Sequence, residues 1–225
     1  ETGSPGYVDN TYIFEGVGDF NGDNRSDILV RRNTNGQVTF LMMDGIVILP
    51  ESGSPGALDD TYVFEGVGDF NGDGNSDLLV RRTTSGQLSF YMMDGYSVLP
   101  GSGSPGSVDN TYVFEGIGDF NGDGRSDLVI RRTTLWEVTV YMMDGYSVLP
   151  SSGLLGSYDD TYVFEGVGDF NGDGNSDLLV SRTTDGEIFI WLMDGYTILP
   201  GSGSPGSLTE SYVIKGVGDY NGDGI

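Results

Sequence analysis

A period of 50 residues constrains this chain more than any other property. The segment GVGDFNGDGNSDLLV at 66–80 returns at 116–130 and 166–180 with few changes, as GVGDFNGDNRSDILV at 16–30, and in part as GVGDYNGDGI at 216–225. A constant period of this length signals stacked supersecondary units, each unable to bury its apolar face alone. The chain therefore reads as one repeat array, 1–225, with repeats at 1–50, 51–100, 101–150 and 151–200 and a partial repeat at 201–225.

Residues 51–100 serve as the type repeat. ESGSPG is loop-like, and Thr61–Val67 has the β-branched and aromatic content of a strand. Leu78-Leu79-Val80 suits a strand buried on both faces. Thr83-Thr84-Ser85-Gly86 marks a hairpin turn, matched by Asn35-Gly36 and Asp185-Gly186. In the next strand Leu88, Phe90 and Met92 alternate with Ser89, Tyr91 and Met93, which predicts a packed face between neighbouring sheets. Asp94-Gly95 then turns the chain into a short outer strand, Tyr96–Leu99, stopped by Pro100. Four short strands per 50 residues and no helix-period stretch predict an all-β, β-propeller-type array of four-stranded antiparallel blades.

Between the first two strands lies an acidic loop, D-F-N-G-D-G-x-S-D. It sets oxygen side chains at positions one, three, five and nine: Asp19, Asn21, Asp23 and Asp27; Asp69, Asn71, Asp73 and Asp77; Asp119, Asn121, Asp123 and Asp127; Asp169, Asn171, Asp173 and Asp177. Position seven, held by Arg25, Asn75, Arg125 and Asn175, would add a backbone carbonyl. A hard cation such as Ca²⁺ takes about six to eight oxygens, and alternate side chains on a curled loop can converge on one point. Gly74 marks the sharp turn, and Asn24 at the same place tolerates left-handed backbone best among non-glycines. An EF-hand is excluded, because its twelfth position needs a bidentate Glu and Val80 stands there. Three aspartates gathered in one loop repel each other unless a cation sits among them. A fifth loop keeps Asp219, Asn221 and Asp223 before the sequence stops at Ile225.

Composition narrows the functions. The formal charge is −24, from 34 acidic and 10 basic residues, which disfavours nucleic acid and anionic lipid, and no apolar run approaches the length of a membrane span, so no membrane insertion is expected. Tyr, Phe and Trp are spread through every repeat, so the chain can bury a core despite its acidity. With neither Cys nor His, thiolate and imidazole metal sites, Cys nucleophiles and His-based triads are all excluded. The carboxylate clusters are symmetric, whereas catalytic sites break symmetry, so no enzyme is expected.

DFNGDGNSDLLV and its copies resemble the FG-GAP and VCBS-type repeats of integrin α-subunit propellers and of many secreted microbial proteins, some fungal lectins among them. The resemblance implies Ca²⁺ held by the loop aspartates, about one ion per complete repeat, in an extracellular or cell-surface setting. It also implies a structural or adhesion module whose partners are extracellular proteins, glycans or further copies. Self-association through the incomplete terminal repeat, around Tyr212–Val217, is expected from unpaired strand edges. A lectin is the alternative, with Tyr91 and Tyr96 stacking on sugars and Arg82 or Asp94 bonding hydroxyls. The recurrent Arg32, Arg82, Arg132 and Arg182 are expected either to form a ligand-facing ring or to pair with Glu15, Glu65, Glu115 and Glu165. Departures from the repeat occur at Leu135-Trp136, Leu154-Leu155, Ser181 and Lys215.

Overall fold

The computed structural model describes residues 10–208 and 213–218, and within them the chain is all-β. It divides into two units, one comprising Glu1–Asp109 with the Gly145–Ser147 turn, the other Asn110–Asp144 with Val148–Ile225.

In the first unit, Tyr12–Gly18, Asp27–Arg32, Gln37–Leu41 and Gly53–Ala57 form a four-stranded antiparallel sheet in that order. Tyr62–Gly68, Asp77–Arg82 and Leu88–Tyr91 form the next, to which the 103 and 107 positions add isolated bridges. The second unit repeats the plan twice. One sheet comprises Tyr112–Gly118, Asp127–Arg132, Glu137–Tyr141 and Gly153–Ser157, and the other Tyr162–Gly168, Asp177–Arg182, Glu187–Trp191 and Gly203–Ser207.

The fourth strand differs from the expectation. Ser97–Val98 closes only a two-residue hairpin onto Met93–Asp94, and the outer strand comes instead from the segment that opens the following repeat, Ser-Pro-Gly in Gly53–Ala57 and Gly203–Ser207 and Leu-Leu-Gly in Gly153–Ser157. Pro fits there because an edge strand has one row of backbone groups facing away from its partner. Val38 pairs with Gly56 and Phe40 with Gly53, so the ladder demands backbone more than side chains.

Packing between sheets follows the alternation. Phe20, Leu29, Val38, Phe40 and Met42 are buried with Leu78 and Met93 of the next repeat in one cluster. In the second unit Phe120, Val129, Val138, Val140 and Met142 join Leu178, Val180, Trp191 and Met193. A close joint aligns the neighbours. A methyl group placed on Gly16 or Gly18 would lie 2.9 or 2.8 Å from the Val67 side chain, so only glycine admits Val67; Gly116 and Gly118 admit Val167 in the same way. Val217 occupies the corresponding notch at Gly166 and Gly168. Residues 213–218 carry no strand assignment, and Tyr212 lies outside the described residues.

Each first strand also carries a bulge, at Glu15, Glu65, Glu115 and Glu165. The extra residue re-aims its side chain, and this corrects the expected pairing. Arg31, Arg81 and Arg131, not their neighbours, meet the glutamates, at 2.7, 2.5 and 2.6 Å. Arg32, Arg82 and Arg132 pair across the ladder with Tyr12, Tyr62 and Tyr112 and lie over those rings. They form no ion pair with the glutamates among the described residues.

Candidate metal centre

Each acidic loop is suspended from its ninth residue. Asp27, Asp77, Asp127 and Asp177 have no solvent exposure, although they close a polar loop. The Asp77 carboxylate accepts the Phe70 N–H at 3.0 Å on one oxygen and the Met93 N–H at 2.8 Å on the other. The other three bond identically, to Phe20 and Met43, Phe120 and Met143, and Phe170 and Met193. The side chain thus ties the start of the loop to the chain just beyond the third strand. Burial, opposed by these two N–H groups and reinforced by Asp73 and Asp69, pushes the Asp77 carboxyl up to about 7; Asp127 behaves alike beside Asp123 and Asp119. Asp27 and Asp177 are raised for the same reasons.

At the first position, Asp69 accepts the N–H groups of Gly72 and Asp73 on one oxygen and that of Gly74 on the other, at 2.7, 3.2 and 2.8 Å. Asn71 accepts from Asp73 N–H, and Asp73 accepts from Asn75 N–H at 2.8 Å. Asp19, Asn21 and Asp23 repeat the pattern, as do Asp119, Asn121 and Asp123; Asp169, Asn171 and Asp173 keep most of it. Asn24 has φ 64° and Gly74 φ 90°, as the turn requires. Asp219, Asn221 and Asp223 lie outside the described residues.

Two observations bear on a cation. Oxygen donors from positions one, three, five and nine share one loop, and the buried ninth carboxylate has no cationic side chain within ion-pair distance among the described residues. Against this, the carboxylates at positions one and five are turned onto the loop's own N–H groups. No group of three or more His, Cys, Asp or Glu side chains among the described residues is arranged to hold a metal ion. The donor chemistry fits a hard cation, and the arrangement would have to tighten around one.

Position seven distinguishes the loops. Arg25 lies 3.5 Å from Asp23 and 3.7 Å from Asp44, and Arg125 lies 3.7 Å from Asp123 and 3.5 Å from Asp144. Asn75 and Asn175 instead reach toward the preceding loop, at Gly22 and Gly122.

The sequence reading overlooked three parts of this site. Phe20, Phe70 and Phe120, at the second loop position, are fully buried plugs, the first two edge-on to Phe40 and Phe90. Their signal was an aromatic residue in an otherwise polar loop, repeated in every copy. Successive loops are also bonded to each other: Ser76 N–H donates to the Asp19 carbonyl and Ser176 N–H to the Asp119 carbonyl, both at 2.6 Å. Finally, the Asp-Gly hairpin of one repeat rests on the loop before it, with Gly95 N–H donating to Phe20 carbonyl and Gly195 N–H to Phe120 carbonyl.

Repeated antiparallel sheets, each carrying an acidic loop after its first strand, define a β-repeat protein. The FG-GAP-like repeat family matches residues 19–80 and again 69–130, and the repeats of this chain belong to that family. No curated protein matches the chain.

Proposed function

We propose that the chain is a non-enzymatic, extracellular, calcium-stabilised adhesion or structural module whose blades follow the β-propeller plan. The observation that supports this most is the ninth-position aspartate. Four times over, a carboxylate is buried without a cationic partner among the described residues and beside two further carboxylates, a charge arrangement that a divalent cation would relieve. Asp69, Asn71, Asp73 and Asp77 and their equivalents would hold Ca²⁺, with the carbonyl of the seventh residue, and the ion would supply the charge compensation and stiffness the loop lacks. Loop-to-loop bonds, Ser76 to Asp19 and Ser176 to Asp119, would carry that stiffness between the two repeats of each unit. Four divalent ions would bring the formal charge from −24 to −16. Weak loop sites of this kind fill at extracellular calcium concentrations rather than cytosolic ones.

The exposed face of the first repeat supports self-association. Phe14 is 62% and Val17 50% exposed, whereas Phe64 and Val67 at the same places are half-buried. Val17 is shaped for a glycine notch like the one Val67 fills. The sugar-binding alternative has less behind it, since Tyr91 is half-buried and the Tyr96 ring lies against Gly53.

Calorimetric titration of the full chain with CaCl₂ tests the reading. Uptake near one ion per complete loop is expected, with a rise in melting temperature that chelator reverses. Absence of both effects would end the calcium assignment.

A further inference from the structure

In three repeats a half-buried arginine meets the bulge glutamate, and in two of them its other contacts also match. Arg31 contacts the Glu15 carboxylate, donates to the carbonyls of Asp59 and Tyr62 at 3.1 and 3.2 Å, and lies over the Phe64 ring. Arg131 does the same with Glu115, the carbonyls of Asp159 and Tyr162, and Phe164. Arg81 meets Glu65 at 2.5 Å.

The fourth repeat breaks the pattern. Ser181 stands where the arginine belongs, and its hydroxyl donates to Glu165 at 2.6 Å. Glu165 and Ser181 open onto a pocket of about 580 Å³. Ile188, Leu208, Val213 and Ile214 give the pocket an apolar wall. Ile214 occupies the position of the ring-bearing Phe64 and Phe164, so the wall there is aliphatic.

Charge around the pocket stays negative. Arg182 also lines it, but its guanidinium is engaged by Asp185 at 2.7 Å and by Glu187. Glu165 has no cationic partner among the described residues. The result is a carboxylate on a bulge, a hydroxyl beside it and an apolar wall on one side, where three sister sites hold a guanidinium on an aliphatic stem.

We propose that this pocket binds an alkylguanidinium group, as carried by an arginine side chain. Glu165 receives the cation, Ser181 leaves the space for it, and the apolar wall covers the methylene stem. The group comes either from a foreign molecule or from an exposed arginine of a second copy, and the chemistry is the same for both. The proposal does not depend on calcium.

The test is calorimetric titration of the full chain at low salt with butylguanidinium and N-acetyl-arginine amide, and with butanol as the uncharged control. Saturable binding of both cations and none of butanol is expected. Glu165→Gln, which keeps an acceptor for Ser181 but removes the charge, should weaken binding at least about tenfold. Ser181→Arg should abolish it and raise the melting temperature, because the arginine then fills its own site. Lack of saturable binding by the wild-type chain, or unchanged binding by folded Ser181→Arg, would overturn the proposal. Sedimentation separates the sources. A mass that falls on Ser181→Arg substitution, or on adding arginine amide, assigns the group to a second copy; an unchanged mass with cation binding intact assigns it to a foreign ligand.

Discussion

Loops one and three carry Arg25 and Arg125 at the seventh position, whereas loops two and four carry Asn75 and Asn175. The first kind places a guanidinium near its own aspartate and near the following Asp-Gly hairpin; the second has no internal cation and turns its amide to the neighbouring loop. Despite this, Asp77 and Asp127, one from each kind, are pushed up to about the same 7. All four ninth-position aspartates keep the same two N–H partners, so the buried strut is common to both kinds of loop. Two layers coexist in each loop: an inner one common to every copy, and an outer one free to vary in charge.

The largest expected effect probes the inner layer. Asp77→Ala leaves the Phe70 and Met93 N–H groups unbonded in the interior and should cost about 3 kcal/mol in urea unfolding. Asp27→Ala should cost the same within error. A clear difference between them would show that Arg25 reaches the strut after all.

Acidity offers a second probe. In chelator, the raised carboxyls of Asp77 and Asp127 hold protons more tightly in the folded chain than in the unfolded one, where 3.8 is usual. Their contribution should thus make stability fall as pH rises from about 4 to about 7 and level off above. Comparing wild type with Asp77→Asn and Asp127→Asn isolates it: each variant should lose part of that slope, equally for the two kinds of loop.

A hairpin provides a smaller effect. Gly86 has φ 70°, and a side chain there would strike the Val108 carbonyl, yet Trp136 occupies the equivalent place in repeat three at φ 61°. Left-handed backbone costs a non-glycine residue about 1 kcal/mol, so Trp136→Gly should stabilise the chain by roughly that amount in thermal melts. Gly86→Ala should destabilise by more, since it adds a clash to the strain.

The smallest effect lies in the outer layer. Arg25→Asn together with Arg125→Asn should tighten calcium binding about two- to fivefold, as befits exposed charge pairs of up to about 1 kcal/mol, and Asn75→Arg should weaken it. Equal affinities in all variants would remove any electrostatic distinction between the loops.

Much of this fold was legible because it is written in side-chain alternation. Leu78-Leu79-Val80 and the Leu88, Phe90, Met92 series became buried strands as the pattern required. Gly53–Ala57 was read as loop because its composition is that of a loop; it is a strand only because an edge of the neighbouring sheet offers it backbone partners. The arginine register failed by one residue for a similar reason. The bulge at Glu15 shifts the ladder by a single step, and no periodicity in the sequence marks it. In the acidic loop the residue types were evident, but not that the ninth aspartate is an internal strut, since burial depends on Phe20 and Met43 closing over it.

The borrowed outer strand has a bearing on how such chains can be cut and lengthened. The unit of copying, read as the 50-residue period, and the unit of folding are out of phase: a break after Pro100 severs Gln87 and Phe90 from their bridging residues at Ser107 and Gly103. Truncations that respect the textual repeat will expose a raw sheet margin, and those placed past Val108 will not. Duplication in either frame yields the same interior sequence, so growth of the array is indifferent to the phase while its last member is not.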